Sequence, residues 1–334
     1  MEGFSVIQDL NFENQIKEST FLVTGGAGFI GSNLVRALLI GNAKNVRVID
    51  NLSTGNIENL EEFFGYSNFE FIEGDIDDIS LCHAVVKGTD FVSHQAALGS
   101  VPRSIQDPIR TNNSNITGFL NVLQACKESK QTKKLVYAAS SSTYGDSQRL
   151  PKKEGYEGEP LSPYAVTKLV NELYAEVFSK VYNFHSIGLR YFNVFGPKQG
   201  WDNPYAAVIP RFCKAFIENE SPVIYGDGSN SRDFTYIENV IYANFLSFFN
   251  SNGLIKHQVY NVGCGERISL ISLFNQLKEI SGKSKLKPIF EKPRKGDVKH
   301  SQADLSKIKR DLNYQPVINF SEGLSKTYNW NLNE

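Results

Sequence analysis

Between residues 20 and 191, short runs rich in β-branched residues alternate with longer segments of helical period. This alternation constrains the fold more than any other feature of the chain. The strand-like runs are TFLVT (20–24), VRVID (46–50), FEFIEG (69–74), DFVSH (90–94), KLVYAAS (134–140) and HSIGLRY (185–191). Helical segments fall near 29–40, 56–64, 79–87, 108–129 and 162–182. Strands joined through helices pair parallel, and the crossover helices then cover both faces of the sheet. The pattern predicts an α/β fold, a doubly wound parallel sheet followed by a smaller C-terminal α/β domain. After residue 191 Pro and Gly become denser (FGPKQGWDNPY, YGDGSNS, EKPRKGD) and the periodicity shortens. The expected organisation is an N-terminal extension over 1–19, forming an appended helix or arm, a nucleotide-binding domain over 20–190, and a substrate domain over 191–334. Residues 236–262, which include the helical stretch YIENVIYANFLSFF, are a candidate to pack back on the main sheet.

The first strand runs into GGAGFIGSNLV, with Gly25, Gly28 and Gly31 spaced GxxGxxG between strand and helix. Such a loop lets backbone approach a pyrophosphate and aims a helix N-terminus at its charge, which is the Rossmann arrangement. Asp50 ends the second strand within DNLSTG. A carboxylate there accepts hydrogen bonds from adenosine ribose hydroxyls and repels a 2′-phosphate, which favours NAD over NADP. Asp75, after the third strand, is placed to reach the adenine.

Bulk properties exclude several other classes. With 41% hydrophobic and 21% charged residues the chain reads as an ordinary globular protein. A formal net charge of -1 gives no basic field for nucleic acid or an anionic membrane. No apolar run approaches the ~20 residues that span a bilayer, and the first residues have no basic stretch followed by an apolar core. The four cysteines are scattered without a CxxC pair, and the five histidines show no metal-ligand spacing. Reduced cytosolic thiols and no metal site are expected, with no nucleic-acid or membrane partner.

At the end of the fifth strand stands AASSSTYG, where Ser140, Ser141 and Ser142 are consecutive. Further on, LSPYAVTK places Ser162 as an N-cap and Pro163 at the first helical position. Tyr164 and Lys168 then share one helix face. A hydroxyl, a phenol and an ammonium outside the carboxyl ends of the strands form a proton-transfer set. Free Tyr has a pKa near 10, and a neighbouring Lys⁺ together with the positive ring of NAD⁺ favours phenolate. The spacing is what a tyrosine base requires.

TGGAGFIG, DNLSTG, GDI, HQAA, SSSTYG, SPYAVTK and RYFNVFGP occur in this order, and with them the chain resembles the extended short-chain dehydrogenase/reductases over essentially everything after residue 19. Within that family it is similar to the nucleotide-sugar 4-epimerases, most of all the UDP-N-acetylglucosamine branch. The alternatives are the UDP-glucose and UDP-N-acetylglucosaminuronate branches. The family's dehydratases carry a Thr-Asp-Glu type triplet where this chain has serines, so dehydration is not expected. The resemblance implies reversible inversion at C4 of a UDP-hexose, with tightly held NAD that is not consumed. Tyr164 would take the 4-hydroxyl proton. Ser140 would supply the catalytic hydroxyl with Ser141 and Ser142 assisting, and the 4-keto sugar would turn before hydride returns.

By the same resemblance NAD is held by Gly25, Gly28, Phe29, Ile30 and Gly31, by Asp50, Asn51, Ser53, Thr54 and Gly55, and by Asp75 and Ile76. Gln95, Ala96, Ala97, Asn115, Tyr164, Lys168 and Phe192 complete that site. The UDP-sugar is expected against Ser100, Val101, Ser140, Ser141, Asn193, Ala207, Val208, Tyr225, Arg232, Arg294, Asp297 and Ser301. Arg232 and Arg294 suit a diphosphate because guanidinium binds its oxygens with fork geometry. Ser301 falls where glucose-restricted relatives carry a bulky Tyr beside the sugar's C2. A homodimer is also implied, in which helices 108–129 and 162–182 pair with their copies. Phe119, Leu120, Leu123, Leu173, Val177 and Phe178 are the apolar candidates for that face.

Two other readings compete, a regulator that kept the fold without the chemistry and an NADPH-dependent reductase. The intact Tyr, Lys and Ser set speaks against the first and Asp50 against the second.

Overall fold

A computed structural model describes residues 12–202, 206–249, 255–293 and 298–333. Its centre is a seven-stranded, wholly parallel sheet. The first six strands are β1 (Thr20–Thr24), β2 (Asn45–Asp50), β3 (Phe69–Glu73), β4 (Phe91–His94), β5 (Lys134–Ser140) and β6 (Ser186–Tyr191). Downstream come β7 (Val194–Phe195), β8 (Val223–Tyr225), β9 (Ser231–Arg232), β10 (Thr235–Tyr236), β11 (His257–Val262), β12 (Ile268–Ser269) and β13 (Ile289–Glu291). Helix Ile237–Phe249 carries the chain back to the main sheet, where β11 pairs with β6. The order is β11-β6-β5-β4-β1-β2-β3. Winding reverses between β1 and β4, and a doubly wound sheet opens a crevice at the carboxyl ends of strands on either side of such a reversal.

Burial follows the two-residue period of strands. Phe21, Val23, Val46 and Val48 face one core, packed with helices Phe29–Ile40 and Ile237–Phe249. Leu22, Val92, Leu135 and Tyr137 face the other, against Gly118–Glu128 and Pro163–Tyr182. Each fully buried Leu, Val or Phe contributes about 1.5–3 kcal/mol, which favours the register of the strands that carry them. The remaining strands form three two-stranded pairs, β7 with β10, β8 with β13 and β9 with β12. These make the smaller C-terminal part. Among the described residues no helix is long and apolar enough to cross a membrane.

The expected helix over 108–129 is interrupted. Helix Pro108–Asn112 passes into a π-type turn at Asn113–Thr117 before continuing as Gly118–Glu128. The extra residue in that turn rotates Asn115 inward, where it is fully buried.

Candidate active site

The glycine loop closes over the crevice because larger residues would not fit. Gly25 has φ of +69°, and a Cβ there would lie 2.6 Å from the backbone of Ala96. A Cβ on Gly31 would lie 2.1 Å from the carbonyl oxygen of Gly25. The loop therefore packs directly on the 95–97 segment, and helix Phe29–Ile40 starts at Gly28 with its first N–H groups toward the cleft. His94 anchors the far side: its Nδ1 lies 2.9 Å from Thr24 Oγ1, which also accepts from the Ala96 N–H. Burial and the nearby Lys168 charge push this imidazole down to about 3, so it is neutral.

Asp50 accepts from the N–H of Ala27 at 3.0 Å and of Leu52 at 2.9 Å. Burial raises its carboxyl and these bonds oppose the rise. Asn51 donates to Asp75 at 2.5 Å, which ties the ends of β2 and β3 together. Of the residues expected to hold NAD, Gly25, Gly28, Asp50, Asn51, Ser53, Thr54, Gly55, Asp75, Ile76, Gln95, Ala96 and Ala97 all line one cleft. Leu98 also lines it beside Ala97, and so do Ile49, Gly74 and Ser114, which were not anticipated. A narrow cradle of backbone with a carboxylate at the end of β2 fits a dinucleotide carrying a free ribose 2′-hydroxyl.

Two expected members stand behind this cleft. Asn115 spends its amide on Leu98, accepting from the N–H at 2.8 Å, and on Thr167 Oγ1 at 3.1 Å. It positions the loop after β4, and its neighbour Ser114 reaches the cleft. Phe192 is buried completely and packs on Tyr144, with ring centres 6.1 Å apart.

Helix Pro163–Tyr182 begins as its sequence indicates, with Ser162 Oγ accepting from the Ala165 N–H at 3.2 Å. The Tyr164 phenol lies near Ser140, whose hydroxyl acts to lower its pKa. Ser140 Oγ receives both the N–H and the hydroxyl of Ser142, at 3.1 and 2.9 Å. Its own proton is thus left for the phenol oxygen, where it favours phenolate. Ser140 is the serine that meets the tyrosine; Ser142 orients it, and Ser141 opens the following turn.

Lys168 Nζ lies 5.9 Å from the Tyr164 ring centre and donates to the Ala138 carbonyl at 2.8 Å. Burial pushes this ammonium down to about 8. The expected lowering of the phenol by Lys168 is not found in the protein alone: burial holds Tyr164 above its ordinary value and only Ser140 opposes it. At 5.9 Å, with its hydrogen bond directed at a carbonyl, the ammonium does not offset the desolvation of the phenol.

On the substrate side Ser100 caps helix Val101–Gln106 and Ala207 precedes helix Val208–Glu218. Asn193 has φ of +30° and donates to the Asp233 carbonyl at 3.3 Å. Tyr225 ends β8, and Arg232 in β9 donates to the carbonyls of Ser231 and Lys299. Ser301 is half-buried and its N–H pairs with the Ser231 carbonyl at 3.1 Å. Arg294 and Asp297 lie outside the described residues.

The family model described as the NAD-dependent epimerase/dehydratase family matches residues 21–263. A putative UDP-glucose 4-epimerase of Methanocaldococcus jannaschii is 35% identical, with 92% of this chain and 97% of the relative covered. Among solved structures, a UDP-N-acetylglucosamine 4-epimerase from Methanobrevibacter ruminantium, in complex with UDP-N-acetylmuramic acid, is 40% identical with a TM-score of 0.88. That match covers 95% of this chain and 99% of that one. A UDP-glucuronic acid 4-epimerase from Bacillus cereus, in complex with UDP-glucuronic acid and NAD, is 34% identical with a TM-score of 0.85, covering 93% and 98%. With a glycine cradle, a strand-end carboxylate and a Tyr-Lys-Ser set in one crevice, this chain belongs to the NAD-dependent epimerase/dehydratase family.

Proposed function

We propose that this protein interconverts UDP-N-acetylglucosamine and UDP-N-acetylgalactosamine by reversible inversion at C4. The broader statement, an NAD-dependent enzyme of the UDP-sugar 4-epimerase type, follows from the family and from relatives named for UDP-glucose, UDP-glucuronate and UDP-N-acetylglucosamine. The observation that carries it is the grouping of Tyr164, Ser140 and Lys168, with the Lys168 ammonium 5.9 Å from the phenol ring and the dinucleotide cleft at the ends of the same sheet.

Bound in that cleft, NAD supplies a reversible acceptor for the C4 hydride. The side chains supply the proton transfers. Tyr164 takes the 4-hydroxyl proton and returns it to the same oxygen after the keto sugar has turned its other face inward. Ser140 donates to the phenol oxygen and steadies its anionic form. Lys168 carries positive charge at neutral pH beside the ring and keeps donors free for a hydroxyl-bearing ligand. Asn193, Tyr225 and Arg232 hold the UDP moiety, a role the family resemblance extends to Arg294 and Asp297. Support for the acetamido sugar is Ser301, a small side chain where a Tyr would crowd C2.

The test is purification without added cofactor, assay of bound NAD, and incubation with UDP-N-acetylglucosamine, UDP-glucose and UDP-N-acetylglucosaminuronate. Bound NAD and interconversion of the acetamido pair are expected. Turnover of UDP-glucose or the uronate alone would refute the acetamido reading, and net accumulation of NADH would mark an oxidoreductase.

A further inference from the structure

Asp233 follows Arg232 directly and is fully buried, at 0% exposure. A buried carboxylate is costly unless hydrogen bonds compensate the lost water. Here three backbone N–H groups converge on it. Cys264 donates at 2.8 Å and Gly265 at 2.9 Å, both from the loop after β11, and Ala303 donates at 3.0 Å from the segment that carries Ser301. The backbone carbonyl of the same residue receives the Asn193 amide. One residue thus joins three stretches of chain that are distant in sequence.

The packing around it leaves no slack. A Cβ on Gly263 would lie 2.9 Å from both the Asp233 carboxylate and the Ala303 side chain. Gln302 adds a second link across the same joint, donating to the Gly265 carbonyl at 2.8 Å. Burial pushes the Asp233 carboxyl up to about 6 while the three N–H bonds hold it down, so at neutral pH it is ionised and accepts all three. An apolar side chain would fill this space at less cost, but it would not fix where the three segments sit relative to one another.

We infer that Asp233 is a positioning residue for nucleotide-sugar binding, a buried clamp that sets Asn193, Arg232 and the Ser301 segment in one geometry. It touches neither the dinucleotide cleft nor Tyr164. Its loss therefore weakens the grip on the UDP portion and leaves the cofactor in place. The inference rests on the UDP-sugar reading above.

The test is Asp233→Asn in the full chain, with Gln302→Met as a milder second variant. Binding of UDP is measured by calorimetry, NAD content on the purified protein, and KM and kcat with UDP-N-acetylglucosamine. The amide keeps the shape but puts an N–H donor against one of the three backbone donors, so UDP affinity should fall at least about tenfold. KM should rise correspondingly, kcat should change less, and bound NAD should stay at the unaltered level. Gln302→Met should weaken UDP severalfold in the same direction.

UDP affinity unchanged in Asp233→Asn overturns the clamp, as does a loss of NAD in proportion to UDP. If Asp233→Asn does not fold, unchanged affinity in Gln302→Met overturns it. Failure of the unaltered protein to bind UDP at all would overturn the functional reading, and the clamp with it.

Discussion

The backbone N–H of Tyr164 donates to Ser104 Oγ at 3.1 Å, so a serine on one helix caps the first turn of another. Ser104 is fully buried, and its own hydroxyl donates to the Val101 carbonyl at 2.7 Å. Helix Val101–Gln106 follows the loop that lines the cleft, and this bond fixes the height of the phenol relative to that loop. Ser104→Ala should cost about 1 kcal/mol of stability, as loss of a helix cap does. It should lower kcat on the order of tenfold through misplacement of the tyrosine, with little change in bound NAD. Ser104→Thr, which restores the acceptor, should recover most of kcat. A kcat equal to the unaltered enzyme in Ser104→Ala would show that the cap does not position the phenol.

Tyr164→Phe removes the acid–base group and leaves the packing of the first helical turn. Turnover is expected to fall at least ~10²-fold, the lower end of general-base contributions. Bound NAD and thermal stability should remain close to the unaltered protein. Steady-state rates with UDP-N-acetylglucosamine check this, and near-normal turnover would refute the proton-transfer role.

Lys168 carries two separable predictions. Lys168→Met should cripple turnover and change the pH–rate profile, because the positive charge beside the phenol disappears. An unchanged profile would show that the ammonium does not assist the phenolate even with ligands bound. The second prediction concerns stability. The folded-state pKa of Lys168 is about 8 against an ordinary 10.5. Between those values the unfolded chain holds a proton that the folded chain has released, so this residue's contribution to stability improves as pH rises. The advantage of Lys168→Met over the unaltered protein in thermal unfolding should thus be largest near pH 7 and shrink toward pH 10.5. A difference that stays constant across this range would mean the buried ammonium is not destabilised.

The sheet was legible because its signal is local and periodic: β1 and β5 span the residues their alternating runs indicated, and the helix after the glycine loop spans 29–40. The cofactor cleft was legible for the same reason, since the ends of β1 to β4 bring their loops together by topology alone. The inward turn of Asn115 was not legible because a π-type turn is not encoded by a 3.6-residue pattern. Ser104 and the clamping role of Asp233 were not legible because their importance lies in partners 60 and 70 residues away. Arg232 drew attention as a charge for a diphosphate, whereas its silent neighbour Asp233 turned out to hold the segments together. The phenol's raised pKa was also invisible, because desolvation depends on burial that a sequence does not print.

The long helix offers a test of assembly. Phe119, Leu123 and Phe178 are spent on the internal core. Leu173, Val177 and Val181 are instead 53%, 51% and 64% exposed, and together with Val166 they form an outward stripe at helical spacing. An aliphatic stripe on a rigid helix is the kind of surface a second copy covers. The protein is expected to be a homodimer in light scattering at micromolar concentration. Leu173→Glu with Val177→Glu should convert it to a monomer with NAD still bound. A monomeric unaltered protein would refute this assignment.

The last prediction separates the acetamido sugar from its plain counterpart. Ser301 is held from two sides: its N–H pairs with the Ser231 carbonyl, and the following residues pair with Lys152, whose N–H donates to the Gln302 carbonyl at 2.7 Å. His300 adds a hydrogen bond to Ser231 Oγ at 2.8 Å. A side chain at 301 therefore cannot swing away with its backbone, and its size decides how much room remains beside it. On the acetamido reading proposed above, Ser lacks the aromatic ring expected at this place in glucose-restricted relatives, which would leave room for a 2-acetamido group while the keto sugar turns. Ser301→Tyr should abolish turnover of UDP-N-acetylglucosamine and UDP-N-acetylgalactosamine by steric exclusion, while UDP-galactose is still epimerised. Because UDP and NAD binding do not depend on this side chain, both should be unchanged in the variant, which distinguishes a blocked sugar pocket from a damaged fold. Retention of UDP-N-acetylglucosamine turnover in Ser301→Tyr would remove Ser301 as the gate and leave the acetamido preference without its structural cause.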